Sequence, residues 1–403
     1  TDIEFDGDVV FGVFTHNADR ITFAGAGPQT FNSNGQLVAG VLINNPSGVS
    51  LVGSAVKQTG AAYTLEIKQG FLDLDTNNFG WYAGSVPATP ANDGEFYGSA
   101  GALSYTGDGT ALWCGTLSTT ATYAIANGGT NTIRASGSVT VAGAFGTPAK
   151  STLVMTGSGA TLVAVPQLGN LHIGIAGTGT AQTATALPAT AAVTLGAALD
   201  LAGGVEINEE GILDVSASSY SVSLGGDWTN RPEALGGTAR FVSRAGTVSF
   251  KKASGIIFIN GNNTWYVFDC EKPGVTVEFQ NARTQAVKTA GSFRIIGTNA
   301  DAGGKTSYVT LTRQNPDQSS LLGWVIGEVP DAALMWQLDL NSGATLDMSS
   351  VTVKYSDARA HPVAKPENVD LFSSSQTPLP DGQTPRTCYQ WISGILALYN
   401  YAE

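Results

Sequence analysis

Short runs in which apolar and polar residues alternate recur along the whole of this chain. The clearest set is Val248-Ser-Phe250, Gly255-Ile-Ile-Phe-Ile-Asn260, Asn263-Thr-Trp-Tyr-Val-Phe-Asp-Cys270, Gly274-Val-Thr-Val-Glu-Phe279 and Gly291-Ser-Phe-Arg-Ile-Ile-Gly297. Each run has a period of two, is rich in β-branched and aromatic residues, and is stopped by Gly, Asn or Pro before a helical repeat can develop. One such unit cannot bury its own apolar face, so it must stack on neighbours. Weaker copies supply them: Ile21–Phe31 leads through Leu37–Ile43 to Leu65–Leu74, and Leu153–Leu162 leads through Leu171-His-Ile173 and Val193-Thr-Leu195 to Gly211–Val215. The order of parts repeats while the spacing does not, which predicts accreted, related coils with insertions and not a strict array.

The pattern divides the chain. In residues 1–20, Asp2, Glu4, Asp6 and Asp8 alternate with Ile3 and Phe5, as in an outer strand with one wet face, and are expected to form an N-terminal cap. Residues 21–357 read as the solenoid shaft, interrupted near residues 81–100 by a turn-rich insert that holds Trp81, Tyr82, Pro87 and Pro90. From 358 to 403 the prolines Pro362, Pro366, Pro378, Pro380 and Pro385 rule out central strands and imply an extended tail. That tail ends in an apolar segment containing Trp391, Ile392, Ile395, Leu396, Leu398, Tyr399 and Tyr401. It is expected to serve as a C-terminal cap or as an arm that docks on another subunit.

Composition narrows the function classes. Only 13% of the 403 residues are charged, and Gly, Ala, Ser and Thr abound, which disfavours helices and suits the tight corners of a stacked sheet. The net charge of −12 comes with no basic block, so nucleic acid is not an expected partner. No apolar run approaches the roughly 20 residues of a membrane span. No signal peptide is visible at Thr1, which fits a mature product, a trimmed chain or a virion protein alike. Cys114, Cys270 and Cys388 lack metal-ligand spacing; buried thiols are the expectation, with one disulfide open and its pairing undetermined.

The phrases Gly226-Asp-Trp-Thr-Asn230, Gly246-Thr-Val-Ser-Phe250, Ile259-Asn-Gly-Asn-Asn-Thr-Trp-Tyr266 and Val351-Thr-Val-Lys-Tyr-Ser-Asp357 resemble the repeats of large bacterial surface proteins of the filamentous-haemagglutinin-like adhesin type. The likeness is best over residues 225–357. It implies an all-β, right-handed parallel β-helix with terminal caps, on a cell surface or outside the cell. Such families serve as adhesins, passenger domains or fibre components, while the same fold occurs in phage tailspikes and polysaccharide lyases, so fold alone does not choose between them.

Candidate chemistry is sparse. Asp73 and Asp75 are expected on one strand face about 6.8 Å apart, near the separation used by inverting glycosidases. The Leu-Asp pattern nevertheless recurs at Asp200, Asp214, Asp339 and Asp347, which points to a structural rung position over calcium binding or catalysis. His16, His172 and His361 have no nucleophile elbow to serve, and His172, between Leu171 and Ile173, is expected to face solvent. Trp113, Trp265 and Trp324 lie in strand-like runs and are expected to pack, whereas Trp81 and Tyr82 are the candidates for ligand binding because loops on a rigid shaft often carry function. The leading expectation is a non-enzymatic extracellular structural or adhesive protein. It needs no cofactor or metal, and it self-associates or binds a cell-surface glycan or protein. A phage tail fibre or spike and a polysaccharide-acting enzyme are the alternatives.

Overall fold

The structure is a computed structural model that describes residues 3–12, 20–58, 64–75, 77–81, 96–98, 102–174, 191–208, 211–231, 240–271, 275–279 and 284–296. Beyond these it describes only the strands at 309–313, 337–340, 345–347, 351–353, 369–370, 389–392 and 395–398. The fold is the expected all-β solenoid, built from parallel sheets. Among the described residues the only helical element is one 3-10 turn, Pro148–Lys150. The chain divides into two compact units, Thr1–Ser216 and Ala217–Glu403.

In the first unit the chain winds through three walls. The first wall runs from Ile3–Phe5 through Arg20–Phe23, Gly40–Asn44, Thr64–Gln69 and Ala102–Tyr105 to Ala124–Asn127. The second runs from Val9–Val10 through Gln29–Asn32, Val49–Leu51, Phe71–Asp73, Thr110–Cys114, Asn131–Ala135, Ser151–Met155 and Asn170–Ile173 to Val205–Ile207. The third includes Leu37–Val38, Val56–Gln58, Phe79–Trp81, Phe96–Gly98, Leu117–Thr119, Val139–Val141, Ser158–Ala164, Ala192–Leu195 and Ile212–Asp214. Residues 3–10 thus supply the first strands of two walls.

Parallel register places like on like. In the second wall Val49, Leu72, Leu112, Ile133, Leu153, Leu171 and Val205 form one inward column, all buried. In the first wall Ile21, Val41, Leu65, Leu103 and Ile125 do the same. Each such side chain contributes about 1.5–3 kcal/mol by leaving water, so the columns hold the coil together. Corners are closed by amide side chains. Asn45 Nδ2 donates to Gln29 Oε1 at 2.7 Å and to the Gly27 carbonyl at 2.8 Å, and Gln29 Nε2 donates in turn to the carbonyls of Phe5 and Gly7. Buried turn carbonyls therefore keep partners.

The third wall departs from the other two. Phe79–Trp81 pairs directly with Phe96–Gly98, while the first wall passes straight from Thr64–Gln69 to Ala102–Tyr105 and the second from Phe71–Asp73 to Thr110–Cys114. The added strand is held by the stacked rings of Phe79 and Phe96, 5.9 Å apart. At Gly80 a Cβ would lie 1.9 Å from the Tyr97 carbonyl oxygen, so the backbones meet where only glycine fits.

The second unit uses longer strands. One of its sheets runs Val222–Leu224, Thr247–Phe250, Asn263–Glu271, Thr284–Ile296 and Gln337–Leu340; another runs Trp228–Asn230, Gly255–Asn260, Val275–Phe279, Val309–Arg313 and Val351–Val353. Its core is aromatic: Trp228, Trp265, Phe250, Phe268, Phe279 and Phe293 are all buried. Trp228 Nε1 donates to Asn263 Oδ1 at 2.8 Å and Trp265 Nε1 to Gln285 Oε1 at 3.0 Å. The last described strands change direction: Ile395–Leu398 pairs antiparallel with both Gln337–Leu340 and Tyr389–Ile392, and Val369–Asp370 pairs antiparallel with Val351–Val353.

Candidate functional site

Two of the recurring aspartates, Asp73 and Asp214, resolve into turn chemistry, while Asp200 and Asp339 lie within strands. Asp73 ends its strand and its Oδ1 accepts the Asp75 amide at 2.9 Å, with Asp75 in the left-handed region at φ 48°. Asp214 repeats the arrangement, accepting the Ser216 amide at 2.9 Å with Ser216 at φ 66°, and Asn32 does the same for Asn34. The expectation that Asp73 and Asp75 share a strand face is therefore corrected. Asp75 lies beyond the strand, because the carboxylate of Asp73 stabilises the backbone that turns away from it. Asp108 acts between turns: its Oδ1 accepts the Thr130 amide at 2.7 Å and the Thr130 hydroxyl at 3.0 Å. The bond from the Thr130 amide, then that from its hydroxyl, holds the Asp108 carboxyl below its ordinary value.

What remains is the outer face of the second wall in the first unit. Register sets Thr30, Ser50, Asp73, Trp113, Arg134, Val154, His172 and Glu206 in one outward column, with Phe71, Ala111, Thr132, Thr152 and Asn170 in the next. Within them three large side chains meet. The Phe71 ring stacks on Trp113 with centroids 4.3 Å apart and planes 11° from parallel, and the Arg134 guanidinium carbon lies over the indole, 5.9 Å from its centroid. Gly48 makes room for this stack, since a Cβ there would come within 2.4 Å of the Phe71 ring. All three side chains are half-buried. Further along, His172 Nε2 lies 3.7 Å from Glu206 Oε2, and His172 faces outward as expected.

Trp81 occupies the last position of Phe79–Trp81, paired with Gln58, while Tyr82 lies outside the described residues. Trp391 and Ile392 fall in Tyr389–Ile392, and Ile395, Leu396 and Leu398 fall in Ile395–Leu398, with Trp391 opposite Leu396 and Ile392 opposite Ile395. Tyr399, Tyr401, His16, His361, Trp324 and Cys388 lie outside the described residues. Cys114 and Cys270 are buried, as expected. Trp265 is in the core and Trp113 packs across strands, in line with the sequence reading. Among the described residues, no group of three or more His, Cys, Asp or Glu converges on a metal-sized site, and no helix is long and apolar enough to cross a membrane.

No family model matches this chain, and no curated protein or solved structure matches it either. The stack escaped sequence reasoning because Phe71, Trp113 and Arg134 are far apart in the chain and the insert between the first two hides their register. The available signal was that Trp113 and Arg134 each follow a small outward residue, Ala111 and Thr132.

Proposed function

We propose that this chain is a non-enzymatic extracellular structural and adhesive protein, a β-helical surface or fibre subunit that binds a surface ligand through the outer face of its second wall. The supporting observation is the Phe71–Trp113–Arg134 stack, a rigid group of large side chains on an outward face otherwise made mainly of small polar residues. Aromatic and arginine side chains held by their neighbours are the usual anchors of recognition, because little side-chain freedom is left to lose on binding. The non-enzymatic part rests on the acids: Asp73 and Asp214 are engaged in shaping turns. The resemblance to adhesin-type repeats over residues 225–357 points the same way. The apolar segment from Trp391 to Tyr401 is the proposed assembly arm.

Binding of the purified chain to an array of immobilised glycans and surface proteins tests the adhesive role, with Trp113→Ala as the control. Retention of a ligand by the native chain and its loss in the variant supports the proposal. Release of new reducing ends from any retained glycan would replace it with the enzymatic alternative. Electron microscopy of the chain beside a copy ending at Ser373 tests the arm: end-to-end association lost on truncation supports it, and identical single particles remove it.

A further inference from the structure

We propose that Arg134 is a preformed carboxylate receptor, and that the ligand of the second wall is a glycan bearing carboxylate groups, of the uronic-acid type. The inference rests on the adhesive reading above and assigns its ligand class. Three observations carry it.

First, Arg134 is held in place. Its guanidinium lies over Trp113 within the range of a cation–π contact, Trp113 is backed by Phe71, and Phe71 sits against Gly48. The Arg134 side chain stays half-exposed beside the indole, and the N–H fork of a guanidinium matches a carboxylate bidentately.

Second, the guanidinium has no acidic partner among the described residues. Two other outward arginines do have one: Arg294 lies opposite Asp269 in the register and reaches it at 3.3 Å, and Arg20 reaches Glu66 at 2.8 Å. Arg134 lies opposite Trp113 and Val154, both uncharged. The nearest acids of its column, Asp73 and Glu206, are two and three strands away, roughly 10 and 14 Å by ordinary strand spacing. At that range salt screens them from an arriving anion. In a chain with 32 acids against 20 lysines and arginines, an arginine set between two neutral positions favours an external carboxylate.

Third, the surroundings suit sugar and not peptide. Thr132 and Thr152 stand on adjacent strands of the neighbouring column, presenting hydroxyls that can exchange hydrogen bonds with ring hydroxyls. The strand carrying Arg134 is paired on both sides, by Thr110–Cys114 and Ser151–Met155, so no peptide strand can be added there.

The test is the affinity of the full chain for hyaluronan oligosaccharides, whose alternate sugars carry a carboxylate, beside the same oligosaccharides with carboxyls reduced to alcohols. The expected result is at least a tenfold preference for the acid form. Arg134→Gln should abolish that preference and Arg134→Lys retain part of it, each melting at the native temperature. Equal affinity for both forms, lost in Trp113→Ala, would overturn the carboxylate receptor and leave the adhesive reading standing. Binding of neither form overturns this proposal, and the glycan and protein array then decides the broader one. Tighter binding of poly-glutamate than of hyaluronan would overturn the glycan assignment.

Discussion

Between Val49 and Val205 one inward column of the second wall is Val, Leu and Ile set on their like, whereas between Trp228 and Phe293 the core of the second unit is rich in indole and phenyl rings. The aliphatic columns need nothing beyond register, since one branched side chain replaces another on the next strand at little cost. The aromatic core needs polar partners as well. Each buried indole brings an N–H that must be satisfied, and Asn263 and Gln285 are placed inside the protein to accept it. Strand length follows the filling. Most strands of the first unit span three to five residues, while Asn263–Glu271 has 9 and Thr284–Ile296 has 13, with a register shift near Trp265 that lets ring follow ring. A solenoid can thus be filled in two ways, one tolerant and one demanding.

Charges inside the second unit should break it most severely. Ile257→Asp or Val277→Asp buries a lone carboxylate at a fully buried position and should cost about 4–5 kcal/mol or more, seen as loss of the cooperative unfolding transition, while Thr140→Asp on the outer face of the first unit should stay within about 0.5 kcal/mol. Cavities come next. Leu112→Ala should cost about 2–5 kcal/mol in chemical denaturation. Gln285→Leu, which keeps the volume but orphans the Trp265 N–H, should cost about 1–3 kcal/mol; a neutral result would refute the claim that the aromatic core depends on its amides.

Two weaker effects sharpen the first unit. Tyr105 and Tyr123 are buried phenols, and burial above all raises both above their ordinary value, Tyr105 also through the nearness of Cys114 and Tyr123. For a group raised in the folded state, stability is complete below the unfolded value near 10 and falls as pH rises beyond it. Alkaline unfolding should therefore move to higher pH in the Tyr105→Phe, Tyr123→Phe double variant. Smallest of all, Asp73→Asn should melt like the native chain, because the amide oxygen can still accept the Asp75 N–H. Asp73→Ala should lose about 1 kcal/mol. Equal melting of Asp73→Ala and the native chain would remove the turn role.

Much of this was legible in the chain. Alternation in Leu171-His-Ile173 places His172 outside, and repetition of the Leu-Asp phrase marks Asp73 and Asp214 as structural. Ile257 and Val277 could be assigned to the core from period two alone. The stack on the second wall could not be read, because alternation tells which face a residue occupies and not which residue lies on the neighbouring strand. That information comes from the length of each turn, and here turns vary from 18 residues between Thr152 and Asn170 to 40 between Phe71 and Ala111. Asp75 was misplaced for a related reason: a local side-chain bond ended the strand earlier than the alternation did.

The extra strand in the third wall has a bearing on how such a chain can grow. The chain leaves the third wall at Trp81 and is back in the same wall at Phe96, and the other two walls keep their own pairing across the interval. Length is absorbed by one side of the coil and is not passed on to the turns that follow. The interval is thus a natural splice site, where foreign sequence could be exchanged between Trp81 and Phe96 while Phe79 and Phe96 still find each other.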